Sequence, residues 1–417
     1  MSEQIDTVGK VEDTISTEER LWNRNFILLL QGQMVSMFGN TIYDTALRFW
    51  ILTHTGSTAM MGALLAASVI PEIFMSPFVG TYIDRSDRKR ILVIMDIISG
   101  SAILFIGIAA ILGFIQVWMI LPVSLIVGIS SCFFNPTIDS SIPDIVPKTK
   151  LIKANSLFSS ISSGNDMAGY ALGSFLIQLL GTPILFIFNG ISFLFSAVTE
   201  CFISIPEINK DLEKTTFWDD MKSGIKFILN SRGLMYLYIT TSVLNLCAAM
   251  SMTLTLPWFE SNTKLGIVSY GIAMAVNTFG MFVGFSALSV FEIKRERRFI
   301  VFIISGVLIA ITMIIYSFSL DFYIILVMFF VNGICLAVIN SLIQSSMQRS
   351  VTADMRAKVF SFRRTLSSSL MPIGMVLAGI LAEKLKINLI ILVDYTVFLL
   401  LFIHLAFVSS VKELINI

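Results

Sequence analysis

Asp44 and Arg48 stand four residues apart in NTIYDTALRFW, on one helix face, inside a stretch otherwise poor in charge. Glu72, in SVIPEIFMSPF, and Asp166, in SSGNDMAGYALGS, also sit in apolar or small-residue surroundings. An ionisable group at the centre of a membrane helix costs about 2.5–3.5 kcal/mol on insertion scales, so it marks a pathway or a paired interior site. Such residues can exchange protons and bind ligands. Asp44 and Arg48 fit either an intrahelical ion pair, with Arg48 reaching to the interface, or a cavity wall. Asp166 fits a coupling acid that gains and loses a proton, or an acid that hydrogen-bonds across a helix interface. Glu200 and Asp394 lie nearer the ends of their spans and are expected to be ordinary.

Bond-making chemistry is poorly supplied. His54 and His404 lie far apart in the chain, with no nucleophile at motif spacing, and no G-x-x-x-x-G-K-[ST] loop is present. Cys132, Cys201, Cys247 and Cys335 all fall in apolar runs without C-x-x-C spacing, which argues against disulfides and metal sites. The chain is therefore expected not to be an enzyme, to hold no cofactor or metal, and to draw on no ATP of its own.

The elements that must position these residues follow from composition. Of the 417 residues, 55% are hydrophobic and 14% charged, with mean hydropathy +0.83; a soluble domain carries about 25% charged residues. The continuous apolar runs exclude a β-barrel, whose strands alternate. Twelve helical spans are expected, at about 25–52, 58–83, 91–113, 117–142, 154–180, 183–205, 234–260, 266–290, 299–318, 321–347, 357–383 and 387–410. With both termini cytoplasmic, 25 of the 29 Lys and Arg fall on the inside, leaving only Arg48, Lys264, Lys384 and Lys386 outside. That is the usual orientation signal.

A shift of 205 residues aligns the fourth and fifth spans with the tenth and eleventh. Fourteen identities fall in 49 positions, among them Gly128/Gly333, Asn135/Asn340, Ser141/Ser346 and Gly169/Gly374. The expected fold is an all-α polytopic membrane protein of two pseudo-symmetric six-helix halves, a plan suited to rocking about a midplane site. The expected division is a cytoplasmic tail (1–24), an N-terminal bundle (25–205), a linker with an amphipathic helix (206–233), a C-terminal bundle (234–410) and a cytoplasmic tail (411–417).

The charged segment GTYIDRSDRKR resembles the loop motif between the second and third spans of the major facilitator superfamily, G-x-x-x-D-R-x-G-R-[RK]. Gly80, Asp84, Arg85, Arg88 and Lys89 match in register, and Asp87 stands where the second glycine is expected. HTGST (54–58), FFNPTIDSSIPDIVPKTKLIKANSL (133–157) and DDMKSGIKFILNS resemble segments of the bacterial macrolide-efflux, drug:proton antiporter branch. Two departures stand out: LPVSLIVGISSCFF lacks the arginine motif of neighbouring branches, and Tyr170 takes a signature proline's place.

The resemblance implies proton-coupled efflux of amphipathic small molecules from the bacterial plasma membrane. It also implies a cytoplasmic gate in which Asp84 meets the start of the eleventh helix near Arg356–Arg364. Arg85 or Arg88 then meets Asp139 or Asp144. The expected partners are a small-molecule substrate, protons and the lipid bilayer; no nucleic acid is expected, and the chain is expected to be a monomer. Other readings are export of an endogenous metabolite such as a siderophore or peptide, or a membrane sensor or lipid-translocating protein.

Overall fold

The computed structural model describes residues 21–84, 86–147, 150–205, 232–291, 293–350 and 365–416. The expected N-terminal tail, most of the linker and the start of the eleventh span lie outside the described residues. Among the described residues the structure is helical throughout, with no strand. The helices are α1 (Arg24–Thr55), α2 (Thr58–Asp84), α3 (Arg88–Ile111), α4 (Val117–Ile145), α5 (Leu151–Leu180), α6 (Thr182–Cys201), α7 (Arg232–Ser261), α8 (Gly266–Val290), α9 (Arg298–Phe318), α10 (Phe322–Ser350), α11 (Met371–Lys384), α12 (Ile387–Ala406) and the short α13 (Ser409–Ile415).

Local chemistry sets several boundaries. Asn23 caps α1, its side-chain oxygen accepting from Phe26 N at 2.9 Å. Gly56 ends α1 in the left-handed region (φ 62°), its N–H donating to Leu52 O. Gly181, also at positive φ, turns the chain directly into α6, where Pro183 occupies the first turn. Large apolar side chains such as Phe74, Phe105, Trp118, Ile300 and Tyr323 point outward, as they do in helices bathed by lipid.

Ten of these helices are long and apolar enough to cross a membrane by length and composition. The long helices outside that set are α1 and α5, the pair that carries Asp44, Arg48 and Asp166. They pack against each other, which buries Arg48 and leaves Asp44 exposed and Asp166 half-buried.

The repeat has a packing counterpart. A Cβ on Gly128 of α4 would strike the backbone carbonyl of Ser68 in α2, and one on Gly333 of α10 would strike that of Asn277 in α8. Gly169 of α5 abuts Thr41 of α1, and Gly374 of α11 abuts Leu246 of α7. Matching glycines thus make the same helix-to-helix approach in each half.

The halves meet mainly through α2 with α11 and α5 with α8. At the end of the bundle remote from the termini, Thr58 Oγ1 donates to Gly379 O at 2.8 Å. Ala59 N donates to Glu383 Oε1 at 3.3 Å, and the Ser57 hydroxyl donates to the same carboxylate oxygen. Gly271 of α8 presses on Ser174 and the Tyr170 carbonyl of α5. Together these contacts hold that end shut.

Candidate functional site

A cavity of about 270 Å³ lies within α1–α6. Its acids are Asp44 from α1, Asp96 from α3 and Asp166 from α5. Gln33, Asn40, Ser130 and Asn135 supply neutral polar groups. Asp166 stands midway along the thirty residues of α5, where a bound molecule is equally far from both faces. The Thr41 hydroxyl donates to Asp166 Oδ1 at 2.9 Å. Gly169, one turn on, allows that approach by presenting no side chain to Thr41.

Asp44 and Arg48 share a face as the spacing predicts, but Arg48 does not reach the surface. It is only 5% exposed, and it faces Tyr270 of α8 and Tyr170 of α5 as well as Asp44. Of the two readings the sequence allows, the one in which Arg48 reaches the interface does not hold: α5 and α8 close over it at the sealed end of the bundle. Arg48 and Tyr270 thus link the two halves. Tyr170, which departs from the antiporter proline, supplies part of the arginine's aromatic wall.

The structure does not bring Glu72 into this group. It is half-buried on α2 and is not among the cavity-lining residues.

Glu200 and Asp394 also differ from expectation. Both are buried, Glu200 to 1% exposure and Asp394 to 4%. Neighbouring helices cover them: α1 and α3 pack over the last turn of α6, which carries Glu200, and α7 brings Cys247 beside Asp394 in the first half of α12. Asp96 escaped the sequence reading altogether, although an acid in an apolar span is the same signal that marks Asp166. Its closeness to the Arg88–Arg90 cluster masks it as part of a charged loop.

At the end of the bundle that carries the termini, Arg88 forms an ion pair with Asp144 and donates to Ser140 O at 3.0 Å. Asp139 is exposed and Lys89 half-buried. Asp87 has a defined role as the N-cap of α3: its Oδ1 accepts from Arg90 N at 3.2 Å, with an extended backbone at φ −67°. No left-handed conformation is needed there, so an aspartate serves where the motif has glycine. Gly80 has open space around it. Arg85 and the Asp84 side chain lie outside the described residues, as does the helix start near Arg356–Arg364.

The family model described as Major Facilitator Superfamily matches residues 29–375. The chain belongs to the Major Facilitator Superfamily. It is 22% identical over 405 residues to "Macrolide efflux protein A" of Streptococcus pyogenes, covering 94% of this chain and 98% of the relative. It is 24% identical over 381 residues to "Putative bacilysin exporter BacE" of Bacillus subtilis, covering 89% and 92%.

Among solved structures, it resembles a bacterial homologue of the iron transporter ferroportin with TM-score 0.71, at 15% identity, covering 92% of this chain and 99% of that one. It also resembles a bacterial homologue of the lysosomal transporter Spinster with TM-score 0.65, at 14% identity, covering 94% and 95%. These likenesses establish the major facilitator fold. As a member of this superfamily the chain is a multi-pass membrane transporter of small molecules and not an enzyme.

Proposed function

We propose that this transporter exports amphipathic small molecules in exchange for protons by alternating access. The observation that carries the proposal is the excess of acids in the interior of α1–α6. Asp44 and Asp166 line the cavity and Asp96 and Glu200 are buried beside it, against one buried cation among the described residues, Arg48. In a low-dielectric interior such an excess must be offset by protons or by a positively charged ligand. Competition between the two for the same carboxylates is the simplest form of antiport.

In this reading all twelve long helices cross the bacterial plasma membrane with both termini in the cytoplasm, and the sealed end faces outward. The cavity then loads from the cytoplasm. Arg88 and Asp144 belong to the latch that closes the opposite end, with Asp84 and Arg85 completing it. The relatives named "Macrolide efflux protein A" and "Putative bacilysin exporter BacE" favour an organic cargo over an ion. The four-carboxylate interior accepts a cationic or neutral molecule more readily than an anion.

The deciding measurement uses inverted membrane vesicles made with the wild-type protein and an Asp166→Asn control. Macrolide accumulation driven by an imposed inside-acid pH gradient is expected from the wild type and not from the control. Accumulation that ignores the gradient removes proton coupling. Failure to accumulate any of a panel of macrolides, peptides and cationic dyes removes the cargo class.

A further inference from the structure

Behind the cavity wall, α3 and α6 bring two carboxyl groups together. Asp96 of α3 and Glu200 of α6 are each 1% exposed, and they face one another. Ser196, one turn before Glu200, donates to Glu200 Oε1 at 3.4 Å and also faces Asp96. Two oxygens, Asp96 Oδ2 and Glu200 Oε2, accept no hydrogen bond among the described residues. The Gln33 Nε2 amide of α1 is likewise unpartnered, in a side chain 6% exposed that lines the cavity.

The packing that creates this pocket is tight. Gly32 of α1 lies against Ser196, where a Cβ would come within 3.1 Å of the hydroxyl. Gly100 of α3 lies against the Gly190 carbonyl of α6 at 3.0 Å by the same measure. The three helices are therefore held too closely for a hydrated cation to enter. The pocket adjoins the cavity through Asp96 and Gln33, which line both.

The charge balance on every side is one-sided. From α1 the pair meets the neutral Gln33, and from α6 the Ser196 hydroxyl. Across the cavity α4 presents Ser130, Ser131 and Asn135, and α5 presents Asp166. Along α3 the next cation toward the termini is Arg90, about 9 Å away at 1.5 Å per residue, exposed and paired with Asp87, and Arg88 beyond it is held by Asp144. Two carboxylates so placed, with no cation beside them among the described residues and with free acceptor oxygens, need something positive and small between them.

We propose that Asp96 and Glu200 form a proton-binding pair, one proton shared between them and exchanged with the cavity through Asp96. The pair is distinct from Asp44 and Asp166 and adds a proton site to the carboxylates for which proton and cargo compete. Its proton would be taken up or released as the cavity fills, with Gln33 as the donor that steadies whichever oxygen is ionised. This assignment rests on the proton-coupled reading above, and its test is built to fail separately from that reading.

The test is pH-difference infrared spectroscopy of the full-length protein in liposomes, from mildly alkaline to mildly acidic buffer, with no cargo present. A protonated-carboxyl C=O band should grow on acidification. One component should be lost in both Glu200→Gln and Asp96→Asn and kept in Asp44→Asn and Asp166→Asn. Glu200→Asp should retain the component, and Ser196→Ala should shift its midpoint without removing it; these two guard against misfolding of the amide variants. No component common to Asp96 and Glu200, or one that survives in either amide variant, overturns the pair. Gradient-driven transport by the same wild-type vesicles is scored separately. If the pair titrates while transport ignores the gradient, the site stands and the coupling falls.

Discussion

Thr41 of α1 touches α5 twice: its hydroxyl donates to Asp166 Oδ1 at 2.9 Å, and its Cβ lies where a side chain on Gly169 would come within 2.7 Å. The glycine and the acid are one device, because the close approach sets the hydrogen bond. Gly169→Val is expected to force the helices apart at a cost of about 1–3 kcal/mol and to break the Thr41–Asp166 bond. Gly164→Ala, on the same helix with open space around it, should gain up to about 1 kcal/mol of helix propensity. Thermal unfolding of the two variants in detergent checks the contrast. Equal destabilisation by both would remove the close-approach argument.

The Arg88–Asp144 pair is mostly sheltered, with side chains 11% and 15% exposed. Removing one partner leaves the other charge uncompensated, so Arg88→Ala and Asp144→Ala should each lower transport by about tenfold, equivalent to about 1.4 kcal/mol. The exchange Arg88→Asp with Asp144→Arg should recover a substantial part of the loss. A double-mutant cycle on transport rate measures the coupling, which should fall at about 0.5–3 kcal/mol. Strict additivity would remove the pair from the latch.

Asp87 offers a discriminating series. As an N-cap, its replacement by Ala should cost about 1 kcal/mol, while Asn and Gly should cost only a few tenths. The motif glycine would thus be tolerated at this position for its capping behaviour. Guanidinium-free thermal scans on Asp87→Ala, Asp87→Asn and Asp87→Gly give the order directly. If Gly proves the worst of the three, the cap is not what this residue contributes.

The sealed end can be locked. Ser57 and Glu383 hydrogen-bond across the two halves, so Ser57→Cys with Glu383→Cys should cross-link under a short bifunctional thiol reagent and abolish transport. A reducible reagent should allow recovery on reduction. The exposed native thiol, Cys201, is first replaced by Ser. Undiminished transport in the cross-linked protein would mean that this end need not open.

Much of the architecture is legible in the sequence because hydropathy and small residues act locally. The apolar runs name the helices, and the offset of 205 residues pairs glycines that perform equivalent contacts in the two halves. Asp44 and Asp166 are legible as intruders in greasy surroundings, and the structure places both on one cavity. What is not legible depends on which helices become neighbours. Glu200 looks peripheral until α1 and α3 cover the last turn of α6. Asp96 looks like part of a charged loop until α3 turns it inward, and Arg48 fits an interface as well as a cavity wall until Tyr270 arrives from the other half. Each misreading concerns a side chain whose surroundings come from residues far along the chain.

That α1 and α5 fall short of the apolarity of their neighbours bears on how the chain is made. A ribosome delivers α1, carrying Asp44 and Arg48, well before α5 exists to shelter them. The segment that receives Asp44's neighbour Thr41, around Asp166 and Gly169, emerges more than a hundred residues later. Until then α1 is a poor tenant of the lipid and depends on the insertion machinery to hold it at the edge of the bilayer. The polar interior that equips the finished protein to carry cargo is, during synthesis, the step at which its assembly is most easily lost.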